Sequence, residues 1–322
     1  MVLRLTLEYI NDIYRGSFEL LFVFLGVFGN IVIIVNFFRN TIGRFEIYCF
    51  TLAVVQSFAL IFNSFFDDFL GQGLSFLTSK RLHLKLDQSS NVICKLFEFI
   101  PNIMYFSSAY IIVVMAVDRY HVISKGVKYP LPHLHLSRAK ILCTIIITIG
   151  GVFNIPLLWS YNINYESHGN INFNNKSCKV NHTLVTEWIL NGQSLVIFVL
   201  PIFVVIIYNI LIVRKLIKRH KRRKRITSLS KANSNSELLK LIGYLAISSV
   251  FLFISMPMAI TTSLMCLSKK YFELYYNSLL EFYKFTSSIK DIHYGLNFYI
   301  NLIFLKQFRN DVKRLFNCKR AS

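Results

Sequence analysis

Charge is scarce in this chain, and acidic charge most of all. Of 322 residues, 16% are Asp, Glu, Lys or Arg, and only 16 are acids against 36 bases. A soluble protein of this length carries more. Long polar stretches are correspondingly few. The six cysteines, at 49, 94, 143, 178, 266 and 318, show no spacing that would hold zinc or an iron–sulfur cluster. No HExxH, GxSxG or Walker sequence occurs, which leaves the usual metalloprotease, hydrolase and nucleotide-hydrolase readings without a motif. The histidines at 83, 121, 133, 135 and 168 fall mainly in loops, and Asp67-Asp68 is an isolated acid pair. No cofactor or metal site is expected, nor a cleavable signal peptide, because the first apolar run is long enough to be a span itself.

What the chain has is long apolar runs. Hydrophobic residues make up 54%, with 30 Phe and 17 Tyr, and mean hydropathy is +0.49. Phe97–Val117 is 21 residues, enough at ~1.5 Å rise to cross a ~30 Å hydrocarbon core. Six more stretches follow the same rule: Phe18–Phe38, Ile47–Phe66, Ile141–Tyr161, Ile189–Val213, Leu241–Leu267 and Ile292–Leu305. The last is the weakest, because Lys284, Lys290 and Asp291 interrupt its upstream side. Residues 1–17 read as an outside tail, and 69–93 and 162–187 as outside loops. Pro130 and Pro132 mark 122–140 as a loop with at most short helical pieces. Residues 306–318 read as an amphipathic surface helix, with Phe308, Val312, Leu315 and Phe316 against Arg309, Lys313 and Arg314. The expected architecture is an all-α membrane protein: a tail (1–17), seven spans (18–305), then a short eighth helix and tail (306–322).

Charge sets the orientation. Residues 39–46, 118–140, 214–240 and 306–322 hold 24 of the 36 bases and 4 of the 16 acids, so the whole net charge of +20 lies on one side. The positive-inside rule makes that side cytoplasmic and places the amino terminus outside. The basic run at 214–225 then reads as a topology determinant that contacts anionic inner-leaflet lipids, not as a nucleic-acid patch. Two glycosylation sequons, at Asn175 and Asn181, fall in the 162–187 loop and agree with an outside location. Asn30 and Gln56 are amides inside apolar spans, where each needs a polar partner.

These features together resemble the rhodopsin-like family of G-protein-coupled receptors, over residues 18–318. Asp118-Arg119-Tyr120 stands at the inner end of span three, with Cys94 at its outer end. Asn30 after Gly29 is similar to the family's span-one asparagine. Leu52-Ala53-Val54-Val55-Gln56 is similar to its Leu-Ala-x-x-Asp, with glutamine in place of aspartate. Pro201 and Pro257 match the kink prolines of spans five and six. Asn297-Phe298-Tyr299-Ile300-Asn301 aligns with Asn-Pro-x-x-Tyr, keeping only the first asparagine. The chain also departs from the family in lacking Cys-Trp before Met256-Pro257 and a tryptophan in span four, and Tyr208 is one residue short of the usual spacing after Pro201.

The resemblance implies a receptor that passes an extracellular signal to a heterotrimeric G protein at the plasma membrane. It implies a Cys94–Cys178 disulfide and a polar network of Asn30, Gln56, Ser108 and Asn297. It also implies an acyl chain on Cys318. The neutral Gln56 stands where the family aspartate helps hold sodium, so no sodium site is expected. Arg119 needs an acidic partner, either the adjacent Asp118 or Glu237, 20 residues before Pro257. An Arg119–Glu237 pair would clamp spans three and six, although Glu237 also suits a first-turn acid capped by Ser234 or Ser236. Pro101 replaces the aspartate of the family's amine-binding members. Aromatic and acidic outside segments suit a peptide ligand with basic and aromatic side chains. A small chemosensory molecule, a non-signalling seven-span binding protein and a secondary transporter are the alternatives. A transporter is expected to show an internal repeat and mid-membrane charge, and the sequence suggests neither.

Overall fold

The computed structural model describes residues 2–39, 43–79, 81–82, 84–125, 132–166, 175–180, 184–223, 231–271 and 273–316. They form a helical bundle with one short hairpin. Helix α1 (Val2–Ile13) runs through a wide turn of π-helix at Tyr14–Phe18 into α2 (Glu19–Arg39). Residues 1–17, expected as a tail, are therefore mostly the helical start of span one. Span two is α3 (Arg44–Ala59), a π-helical stretch at Leu60–Gly73, and α4 (Leu74–Leu77). It extends eleven residues beyond the expected end at Phe66, because Asp67 and Asp68 do not stop it. Asp68 is buried against charged partners described below.

Span three, α5 (Asn91–Lys125), packs against α3 and two later helices, so its middle is enclosed by the bundle. Ile111, Ile112, Met115 and Ala116 are fully buried there. Helix α6 (Pro132–Asn154) begins inside the segment expected as a loop. Pro132 is compatible with this because a first-turn residue needs no N–H partner within the helix. Pro156 ends span four, leaving one turn, α7 (Leu157–Ser160). Tyr161 then opens a β-hairpin instead of finishing a helix. Strand β1 (Tyr161–Glu166) pairs antiparallel with β2 (Asn175–Val180), Ile163 facing Cys178.

Span five is α8 (Leu184–Ser194), a π turn at Leu195–Val199, and α9 (Leu200–Arg223), which carries the basic run into the helix as far as Arg223. Span six is α10 (Lys231–Tyr271). Span seven is α11 (Glu273–Lys290) and α12 (Ile292–Phe304), broken at Asp291, and α13 (Lys306–Phe316) follows as the expected eighth helix. Six helices among the described residues are long and apolar enough to cross a membrane. Span seven falls short of them because its outer half carries Glu281, Lys284, Lys290 and Asp291.

The helices bury one stripe and expose another. In α2, Val23, Gly26, Asn30 and Ile33 are buried at helical spacing, while Leu21, Phe24, Phe28 and Ile31 face outward. An outward face of large apolar side chains suits lipid, not water. Gly26 lets two backbones touch. A Cβ built there would lie 2.9 Å from the Gly295 Cα of α12. This contact holds span one against span seven and closes the bundle.

Candidate functional site

At the inner end of α5, Asp118 and Arg119 do not pair with each other. Neighbours on a helix point ~100° apart. Asp118 turns to α3, where its Oδ1 lies 2.6 Å from Arg44 Nη1. Arg119, only 7% exposed, sets its guanidinium 4.9 Å from the Phe45 ring centroid. Packing on an aromatic face suits its planar cation. Tyr120 meets Tyr208 of α9 edge to face, ring centroids 5.7 Å apart. Nearby, Asn209 of α9 accepts a hydrogen bond from Tyr244 of α10 at 3.0 Å. The side chain of Glu237 lies outside the described residues, so the expected clamp has no geometry here.

Three of the four expected amide and hydroxyl groups meet at mid-bundle. Gln56 Nε2 donates to Ser108 Oγ at 3.0 Å, and Asn297 Nδ2 donates to Gln56 Oε1 at 2.5 Å. The chain ties spans two, three and seven, and each member is nearly or fully buried. Asn30 is separate: its Nδ2 donates to the Tyr294 carbonyl at 3.3 Å. The sequence grouped it with the other three, but it holds span one to span seven through backbone. Pro201 lies in the first turn of α9 and Pro257 inside α10.

At the outer end, Cys94 and Cys178 are disulfide-bonded, with Cα atoms 5.7 Å apart. The bond fixes β2 to the start of α5, and Asn91 Oδ1 accepts from the Ile163 N–H of β1 at 2.8 Å. Both strands are therefore held over the bundle. A model of the seven-transmembrane receptor (rhodopsin) family matches residues 29–292. The chain belongs to that family. No curated protein matches it. It is thus a multi-pass membrane receptor and, like its family, not an enzyme.

The receptor's hairpin lies beside a group of acids. Tyr161 hydrogen-bonds Glu98 of α5, and burial, with that carboxylate beside it, holds the Tyr161 phenol well above its usual pKa. Asp67 and Asp87 act on Glu98 as further negative charges, with Lys85 near Asp67. Deeper in the receptor, a cavity of ≈ 20 Å³, room for about one water, is lined by residues including Tyr105, Ser255, Lys290 and His293. Asn175 opens β2, while Asn181 and Cys318 lie outside the described residues.

Sequence reasoning missed one cluster in the receptor. It read Asp68 as half of an isolated acid pair and Lys290 and Asp291 as interruptions, while Glu19 stands at the start of an apolar run. The bundle brings them together with Arg15, and all five are at most 4% exposed. One signal was available: each is a charge within or beside an apolar run, where a partner is required.

Proposed function

We propose that this receptor responds to an extracellular peptide carrying a basic group and activates a heterotrimeric G protein from its inner face, at the plasma membrane with the amino terminus outside. The observation that carries the ligand reading is the outer acid group of Asp67, Asp87 and Glu98 under the tethered hairpin. Carboxylates grouped at that mouth, with Arg15 and Lys85 acting on Asp67, offer acceptors that would hold a cationic partner. The cavity deeper in the core has room for about one water, so a ligand of peptide size engages the outer mouth.

Coupling rests on Arg119. Its fork of donors is stored against Phe45, and Asp118 is occupied by Arg44, so Arg119 needs no proton transfer to become available. Movement of α3 or α10 relative to α5 would present it to the G protein's terminal segment. Glu237, on α10, would oppose that movement in the resting state. The basic run at 214–225 contacts anionic inner-leaflet lipids and contributes to orientation.

The test is GDP–GTP exchange on a panel of purified G proteins, driven by a fractionated tissue extract with and without protease digestion. Peptide signalling predicts exchange that protease abolishes and that Glu98→Gln weakens. Exchange that survives digestion would indicate a small molecule instead. Absence of exchange under every condition would leave a seven-span binding protein.

A further inference from the structure

Five charged side chains meet inside the outer half of the bundle, and they do not balance. Arg15 Nε lies 2.9 Å from Asp68 Oδ1 and also donates to Ser288 Oγ at 3.0 Å. Its other end donates to Gln72. Lys290 Nζ lies 2.7 Å from Asp291 Oδ1 and 3.8 Å from the Tyr105 ring centroid. The second oxygen of Asp291 accepts from Asn63 Nδ2 at 2.6 Å and Ser64 Oγ at 2.9 Å. Asp291 and Asp68 thus each have a cationic partner.

Glu19 is the exception. It is 1% exposed, and its Oε2 is buried with no hydrogen-bond partner. Yet one oxygen each from Glu19, Asp68 and Asp291 lie within 4.8 Å of one another. Like charges that close in an apolar interior repel strongly and are costly to desolvate. With all three carboxylates ionised, the two fixed cations leave one negative charge among these five residues.

The geometry supplies what would neutralise it. Three oxygens within 4.8 Å of one another can lie at most ~2.8 Å from a common centre, close to the ~2.3–2.6 Å contact range of hard cations such as calcium and of sodium, which is of similar size. A single positive charge closes the balance, and a divalent ion would exceed it. Neutral oxygens stand ready to complete the shell. Ser64 has donated its proton to Asp291, leaving its lone pairs open. The Tyr14 hydroxyl is buried against the Glu19 carboxylate, to which it can donate while its lone pairs stay open.

We propose that Glu19, Asp68 and Asp291 form a buried site for one monovalent alkali cation of sodium's size, linking spans one, two and seven. The site is distinct from the Gln56 network, since Asp68 lies twelve residues farther along span two. It revises the expectation, drawn from the neutral Gln56, that the chain holds no sodium.

The test uses the full-length receptor purified in detergent. Radioactive sodium binding is measured, and thermal unfolding is followed in NaCl, KCl, CaCl2 and N-methylglucamine chloride at equal ionic strength. The expected result is about one sodium bound per receptor and a saturable rise in unfolding temperature with NaCl but not with N-methylglucamine. The rise should be on the order of 5 °C at a hundredfold excess over the dissociation constant. Glu19→Gln should weaken sodium binding at least tenfold. If that variant does not fold, the wild-type sodium-binding measurement decides alone. Absence of sodium binding, with equal unfolding in all salts, overturns the proposal and assigns the missing charge to a proton. Tighter binding of calcium than sodium overturns the monovalent assignment. Undiminished sodium binding by folded Glu19→Gln places any ion elsewhere and overturns the site.

Discussion

Arg44 and Asp118 meet at 2.6 Å across the inner ends of spans two and three, while the arginine next to Asp118 in sequence lies over Phe45. The acid of the Asp-Arg-Tyr segment thus serves the packing of α3 on α5. The arginine beside it is held by an aromatic face, an attachment a protein partner can replace.

That pair is partly exposed, with side chains 26% and 13% accessible, so its worth is modest. A double-mutant cycle of Arg44→Ala and Asp118→Ala on unfolding in detergent should give a coupling of ~1 kcal/mol or less, reduced by salt. A coupling indistinguishable from zero at low salt would show that the contact carries no stability.

Arg119→Ala should lower G-protein activation while leaving ligand binding largely intact. Glu237→Gln should raise ligand-free exchange from a few-fold up to roughly a hundred-fold, the range of an interaction bias of ~1–3 kcal/mol. Nucleotide exchange at matched surface expression checks both. Equal exchange from wild type and both variants would remove the switch.

Loss of the disulfide should be costly. Cys94→Ser or Cys178→Ser opens an 84-residue separation and should destabilise the receptor by ~2–5 kcal/mol. Non-reducing peptide mapping should recover the two cysteines in one fragment. Free alkylation of either thiol in folded protein would contradict the bond.

Two glycines should behave oppositely. Gly26→Ala puts a methyl 2.7 Å from Leu60 Cδ1 and 2.9 Å from Gly295 Cα, an overpacking worth ~1–3 kcal/mol. Gly151→Ala in α6 meets nothing within 4 Å and should be neutral or stabilising by up to about 1 kcal/mol through helix propensity. Paired unfolding temperatures decide, and equal effects would mean that the backbones of spans one and seven are not in close contact.

Epitope tags after residue 1 and at residue 322 should stain live cells only at the amino end. Staining of both without permeabilisation would reverse the orientation drawn from charge.

The apolar spans were legible because burial in lipid demands unbroken hydropathy, and the disulfide because the family resemblance named both cysteines. The hairpin was not read, although Tyr161-Asn162-Ile163-Asn164-Tyr165 alternates with the period of a strand. An asparagine-rich segment between spans is more readily taken for a loop. Arg44 opposite Asp118 was unreadable for another reason. It depends on how far each helix extends past the membrane edge, which side-chain type does not fix. Glu19, Asp68 and Asp291 were each visible as anomalies. Their meeting required the azimuth of three helices, set by packing such as Gly26 on Gly295.

The π-helical stretch at Leu60–Gly73 gives span two a different angular phase at its two ends. An α-helix advances ~100° per residue, and the wider i→i+5 turns advance less. Gln56, below the stretch, and Asp68, within it, can therefore both face inward without sharing one helical stripe. Deleting a single residue between them would rotate the outer end of the span by about a quarter turn while leaving the Gln56 end in place. Asp68 would swing away from Arg15, and Phe69 would sweep toward its place. The phase of this one helix thus selects which side chains span two shows to the outer half of the bundle.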